Sequence, residues 1–340
     1  MNKKSVRPLV KGFVPVLGAL ALLSGPAFAD TWKPTHPINI IVPWAAGGAT
    51  DQVTRIEAAE LGKALGQTVV IVNQPGASGS IGTKSVLDAP RDGYTWTAGA
   101  VQDLGTYETL GMLKTRLPDW NLFLSVANVP VLAVNAQSPY KSAKDLLSAM
   151  AAKPGQISVA TAGITSIGHT AMDMVADAAK VSYRHVAYDG GTPAVIATVS
   201  GETDATTQTA SEEADMIKAK RLRALATISN QPLTLDGFGT IPAMSQTLPG
   251  FSAPANYTGI FIPKGVPANV IQTVEQIWKT NIANSQALRS YAASHGALFD
   301  PLSGDAAQKA AFPAVQANAW ALYKSGKAKV SPATVGVPAL

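Results

Sequence analysis

Cysteine is absent from the 340 residues, which removes disulfides, thiolate nucleophiles and cysteine-held metals from consideration. Histidine is scarce. His36, His169, His185 and His295 include no close-spaced pair of the H-x-x-x-H kind, so no metal site is expected. Charge is thin as well: charged residues make up 14% against 46% hydrophobic, a balance that suits buried cores and argues against a disordered chain. The longest apolar run near the start, Phe13–Leu23, falls short of the ~20 residues a spanning helix needs. Lys3, Lys4, Arg7 and Lys11 come before or at its start, and Ala27-Phe28-Ala29 follows it. That order is the pattern of an export signal, so residues 1–29 are expected to be a signal peptide cleaved after Ala29. The segment holds four basic residues and no acid, so its loss takes the net charge from +5 to +1. Little positive excess remains for a nucleic acid, and no such partner is expected.

The chain that remains has the length of about two ordinary domains. Its clearest local pattern is Ile38–Gly82, which reads strand, glycine turn, helix, then strand, glycine turn, helix. Ile38–Val42 and Val69–Val72 are short β-branched runs of the kind found in buried parallel strands. Trp44–Thr50 and Gln74–Ser80 follow them as small-residue turns. In an open α/β sheet the turns at the carboxyl ends of strands border the ligand crevice, and helix N-termini there favour an anion. A third strand, Thr95–Ala98, would deliver Gly99–Gln102 beside the first two turns. None of Pro43–Thr50, Gln74–Ile81 and Gly99–Gln102 contains Lys or Arg. An anion held there would rest on backbone N–H groups, hydroxyls and bridging water. This reading makes Trp44, Ala46, Gly47, Gly48 and Thr50, then Ala77, Ser78 and Gly79, and finally Gln102, candidates for ligand contact. Trp44 suits either a pocket wall or the core. Asp51 and Arg55 suit a helix start with an i,i+4 ion pair, or an acid that braces the turn, or both.

Several better-known motifs fail in Gly76–Ser85. A dinucleotide fingerprint needs G-x-G, a P-loop needs Gly-Lys-Ser/Thr, and a nucleophile elbow needs a final glycine where Ser80 stands. The later chain repeats the strand–turn–helix plan. Ile157–Ala160, Tyr183–Ala187, Ala205–Thr207 and Ala224–Thr227 read as strands, and Pro193 reads as the first residue of a helix. Turns Thr161–Ser166 and Tyr188–Gly191 would face the first set, which adds Tyr188 and Gly190 as contacts. Helices are expected over 267–284, 285–294 and 305–324, with a loose tail at 330–340.

The segments PINIIVPWAAGGATDQVTR, VNQPGASGSIG and APRDGYTW, followed by TAGITSIGH, YDGGTPAV, SGETDA, LRALATIS and YTGIFIPKGVP, resemble the tripartite tricarboxylate transporter receptors, the Bug-type solute-binding proteins. The resemblance spans nearly all of the chain after residue 29. It implies a two-domain α/β Venus-flytrap fold of the type II periplasmic-binding-protein kind with two crossover strands. Domain 1 would comprise residues 30–128 plus 258–340 and domain 2 residues 129–257. It implies no enzyme activity and no cofactor, and a periplasmic monomer that captures a small carboxylate, aliphatic or aromatic, for the permease subunits of a tripartite transporter. It also implies that Thr161, Ser166 and His169 donate hydrogen bonds to the ligand, and that Asp204 lies near the pocket. Ser78, Ser200 and Tyr257 stand where the family more often has glycine, glycine and tryptophan. Two other readings stay open on the residues alone. Ser166 and His169, three apart, could serve a secreted hydrolase or lyase, or could simply be polar groups at a helix start. The closed receptor could also report to a sensor kinase of a two-component system instead of a permease.

Overall fold

A computed structural model describes residues 1–2, 31–229 and 231–339. Apart from residues 1–2, the expected signal peptide and its cleavage point lie outside these residues. In chain order the strands are β1 (Ile38–Val42), β2 (Val69–Asn73), β3 (Thr95–Ala100), β4 (Trp120–Asn128), β5 (Pro130–Asn135), β6 (Ser158–Thr161), β7 (Arg184–Ala187), β8 (Ala205–Thr209), β9 (Leu222–Thr227), β10 (Leu233–Leu235), β11 (Gly239–Ile241), β12 (Asn256–Pro263) and β13 (Ala297–Ser303). The helices are α1 (Ala49–Leu65), α2 (Ser80–Asp88), α3 (Val101–Thr106), α4 (Ala143–Ala152), α5 (Ile167–Ala179), α6 (Gly191–Ser200), α7 (Ala210–Lys218), α8 (Met244–Thr247), α9 (Ala268–Thr280), α10 (Gln286–His295) and α11 (Gly304–Lys324).

Two sheets organise the chain. The first runs β13-β4-β12-β3-β1-β2 and the second β7-β6-β8-β5-β9. β1 pairs in parallel with β2 and β3, and β6 in parallel with β7 and β8. The returning strand β12 runs antiparallel to β3 and β4, as β5 does to β8 and β9. A single residue, Val129, separates β4 in the first sheet from β5 in the second, and β12 brings the chain back. The architecture is therefore the two-domain α/β binding-protein fold with two crossings.

Each sheet is covered on both faces because its strands are apolar on both. Ile40 packs with Val53, Leu61 and Trp278, while its neighbour Ile41 packs with Val101, Leu122 and Val315. Successive side chains on a strand point to opposite faces, so one run of isoleucines feeds two cores. In the second sheet Leu132 joins Met172 and Met244, and Val131 joins Val195 and Ile217. Helix α5 lies hard against β8 at Gly168, where a Cβ would stand 1.8 Å from the Thr207 carbonyl oxygen. Only glycine permits that approach. Both lobes belong to one compact unit, Thr31–Leu340.

Two details differ from expectation. Helix α6 begins at Gly191, so Pro193 sits inside its first turn and not at its first position. The tail is not loose: Pro332–Val335 form a short 3-10 turn, Val335 and Val337 are buried beside α11, and the Trp320 indole donates to Pro338 O at 2.7 Å. Burial of two valines holds a segment whose position at the chain end suggested fraying.

Candidate functional site

The cleft forms where the carboxyl ends of β1, β2 and β3 meet those of β6, β7 and β8. The first turn, between β1 and α1, is braced from below. Asp51, 2% exposed, accepts from Gly47 N (2.9 Å) and Arg55 Nε (2.9 Å) through Oδ2, and from Asn73 Nδ2 (2.9 Å) through Oδ1. Burial opposes its ionisation, but the bonds from Arg55, Gly47 and Asn73 together with the Arg55 charge prevail and hold the carboxyl below its ordinary value. Asp51 is thus both ion-pair partner and brace. Gly48 occupies the position before α1 and has no side chain of its own to cap the helix. Trp44 serves two roles, since it belongs to the first-lobe core and also lines the cavity.

The second turn is backbone-strained. Ala77 (φ 45°) and Ser78 (φ 53°) adopt the left-handed conformation between Gly76 and Gly79. That conformation turns Ser78 toward the other lobe. Its Oγ accepts from Ile164 N at 3.2 Å and its carbonyl from Thr165 Oγ1 at 2.9 Å. At the third turn Gln102 Nε2 donates to Thr165 O at 2.7 Å, and Gln102 Oε1 accepts from Thr170 Oγ1 at 3.3 Å and from Asn256 Nδ2. The lobes are therefore closed on one another by bonds from residues 78 and 102 to residues 164, 165 and 170.

A further contact comes from Glu212 in the first turn of α7. Its Oε1 accepts from Ala49 N at 3.1 Å, at the start of α1, and its Oε2 accepts from Thr209 N (3.3 Å) and Oγ1 (3.0 Å). Burial raises its pKa despite these donors. A Cβ on Gly191 would stand 2.0 Å from Glu212 Oε1, so glycine at that position is what lets the acid through. A carboxylate of the second lobe thus occupies the helix end that the sequence marked as an anion site.

Inside the closed cleft lies a cavity of about 40 Å³ bordered by Trp44, Gly48, Thr50, Asp103, Asn128, Ser166, Gln208 and Glu212 among others, with no Lys, Arg or His in its lining among the described residues. That volume holds a few waters and no diacid. Entry of a solute therefore requires the lobes to part. Burial pushes the Asp103 carboxyl well above the ordinary range, against the pull of the Ala100 backbone and the Trp44 side chain.

Of the sixteen residues named from sequence, Trp44, Gly48, Thr50 and Ser166 line the cavity. Gly47, Asp51, Ser78 and Gln102 hold its turns or its closure, and Gly79 closes its loop from a buried position. Gly190 backs closely onto Ala45, while Ala46 and Ala77 lie exposed on the turns. Thr161, His169, Tyr188 and Asp204 are engaged elsewhere. Thr161 Oγ1 bonds His185 Nε2 at 2.6 Å, and the Tyr188 hydroxyl donates to Glu202 Oε1 at 2.7 Å. Asp204 is exposed and accepts from Ser158 N (2.8 Å) and Oγ (2.6 Å), at the end of β6 opposite the cleft. His169 is fully buried, with Nδ1 against Ile164 O (2.9 Å) and Nε2 receiving Lys327 Nζ (2.7 Å), and its ring stacks on His185 at 3.9 Å. Ser166 Oγ donates to Gly163 O at 2.7 Å and accepts from His169 N at 3.3 Å, so it meets the backbone of His169 and not its ring. The serine–base pair that a hydrolase needs is not made.

Asp103, Asn128, Gln208, Glu212 and Thr258 were not singled out as contacts. Only Glu212 had a local signal, since Thr209-x-x-Glu212 is a capping box.

Two α/β lobes, two crossings and a closable cleft between strand ends define a solute-binding protein. The profile of the tripartite tricarboxylate transporter family receptor matches residues 53–324, and the chain belongs to that family of binding receptors, which are not enzymes. It is 35% identical over 275 residues to a UPF0065 protein from the tcbD–tcbE intergenic region of Pseudomonas sp. strain P51, covering 75% of this chain and 80% of that one. Its fold is similar to that of the periplasmic binding protein BugD, at TM-score 0.76 and 25% identity over 87% of this chain and 99% of the other. It is similar too to MatC of Rhodopseudomonas palustris, solved with bound malate, at TM-score 0.72 and 24% identity over 86% and 98%. Among the described residues no helix is long and apolar enough to cross a membrane.

Proposed function

We propose that the cleft between the lobes captures a small mono- or dicarboxylate, and that the exported, periplasmic chain, cleaved after Ala29, hands it to the membrane subunits of a tripartite transporter. The observation that carries the reading is Glu212. A carboxylate from the opposite lobe rests on the Ala49 amide, so the start of α1 accepts an acid oxygen beside a cavity whose lining, among the described residues, has no cationic side chain. A solute carboxylate would take that place once the lobes open. MatC, of the same fold, holds malate. In this reading residues 30–128 plus 258–340 form one rigid lobe and 129–257 the other, in keeping with the two sheets except that Asn256 and Tyr257 already pair with β4 of the first. The protein acts as a monomer, and the turns carrying Gly47, Gly48, Thr50, Ser78 and Gln102 face those of Ser166 and Gly190.

A thermal-shift screen of mono-, di- and tricarboxylates, with sugars and phosphates as controls, tests this. A ligand at 100 times its Kd adds ~2.7 kcal/mol, a melting shift of about 5–10 °C. Added salt should weaken a hit only mildly, because short-range backbone dipoles are poorly screened. Shifts from sugars and from no carboxylate would overturn the proposal.

A further inference from the structure

Asp103 differs from the other acids of the cleft. Asp51 receives three donors and Glu212 three, whereas among the described residues neither oxygen of Asp103 has a hydrogen-bond partner, although the residue is only 3% exposed. The neighbouring Ala100 N–H and Trp44 side chain fall outside hydrogen-bond geometry. Asp103 borders the same cavity as two other unmatched atoms. Asn128 spends its Nδ2 on Thr258 Oγ1 (2.6 Å) and leaves Oδ1 unpartnered, and Gln208 Nε2 is likewise unpartnered; both residues are at least 95% buried. Buried polar groups are nearly always matched, and an unmatched carboxylate is the most costly kind to leave. The cavity thus offers one unused donor and, from Asp103 and Asn128, a cluster of unused acceptors.

Burial favours a proton on Asp103, which a plain carboxylate can accept together with the Gln208 donor, but Asn128 Oδ1 and the second Asp103 oxygen still go unanswered. A plain carboxylate also brings negative charge to a site whose lining, among the described residues, already holds two acids, Asp103 and Glu212, and no cation. A solute that carries its own donor answers both. We propose that Asp103 receives a hydrogen-bond donor borne by the bound solute, an ammonium or a hydroxyl group, so that the receptor takes amino or hydroxy carboxylates in preference to unsubstituted ones. This rests on the cleft being the carboxylate site.

The test is calorimetry on the full exported chain with matched sets: succinate, 2-hydroxysuccinate and 2-aminosuccinate, their three- and five-carbon counterparts, and the corresponding amino alcohols lacking a carboxylate. Tighter binding of a substituted member by roughly tenfold or more is expected, the scale of a charge-assisted bond to a buried acceptor. The hydroxy and amino arms say which donor is meant. Asp103→Ala, which removes both side-chain oxygens, should bring the ratio of substituted to unsubstituted affinity close to one. The wild-type ratio decides the matter even where the variant does not fold. Equal or tighter binding of the unsubstituted acids overturns the proposal. Amino alcohols binding while no carboxylate does would overturn the carboxylate reading and leave the role of Asp103 standing. Binding by no member of any set overturns both.

Discussion

Asp51 and Glu212 are two buried acids with opposite consequences. Asp51 has its folded pKa held below the ordinary carboxylate value, so it contributes stability above that value and loses it as the pH falls through the folded pKa. Asp51→Asn should cost about 1–3 kcal/mol at pH 7 and less at pH 3, measured by urea unfolding at both. An equal cost at the two values would mean that shape and not charge matters at this position. Glu212 is the reverse: burial raises its pKa, and its charge sits where an anionic solute is expected. Glu212→Gln keeps the side-chain length and an acceptor for Ala49 but removes the charge. Carboxylate affinity should rise several-fold by calorimetry. A loss of affinity would mark Glu212 as a positioning group for α7 and not a competitor.

At the level of elements, strand and turn were legible because β-branched runs and glycine punctuation are local. β1 is found at Ile38–Val42 as read, and β2 and β3 run one and two residues beyond their expected ends. What local pattern did not carry was which residues meet across the cleft. Glu212 lies 163 residues from Ala49, and Lys327 lies 158 from His169. Neither pairing has a spacing rule. The glycine before α1 was legible for the same reason the strands were, and it supplies a test. Gly48→Asp would set a second carboxylate at the helix start, where the added Cβ would itself stand 3.2 Å from Glu212 Oε1. Carboxylate affinity should fall by more than tenfold in protein whose circular dichroism is unchanged. Wild-type affinity would mean the solute binds away from α1.

Across the whole molecule, the lobes are joined a second time, away from the turns. Lys327, beyond α11, donates to Asp173 Oδ2 (2.7 Å) and Oδ1 (2.9 Å) and to His169, while Tyr183 donates to Asp173 Oδ1 at 2.6 Å. Burial, the His169 charge and the Lys327 charge push His185 down to about 3, with Asp173 pulling the other way, and burial also lowers His169. The unfolded chain takes up protons at these rings below ~6.5, where the folded one refuses them. Stability should therefore be full above that pH and decline from it toward about 3. Lys327→Met should make the decline shallower, because one of the charges that disfavours protonation is gone. Ring-proton titration by NMR alongside melting curves checks this, and an unchanged slope would remove Lys327 from the account. The cross-lobe bonds of Ser78, Gln102 and Glu212 have one more consequence. Bonds between the lobes themselves weigh on the balance of open and shut forms: apparent affinity is the intrinsic affinity multiplied by the open fraction. If self-closure is favoured by ~1.4 kcal/mol, about one molecule in ten stands ready to load and half-filling needs roughly tenfold more solute. Changes at Ser78 could then retune the concentration at which uptake begins while leaving the choice of solute alone.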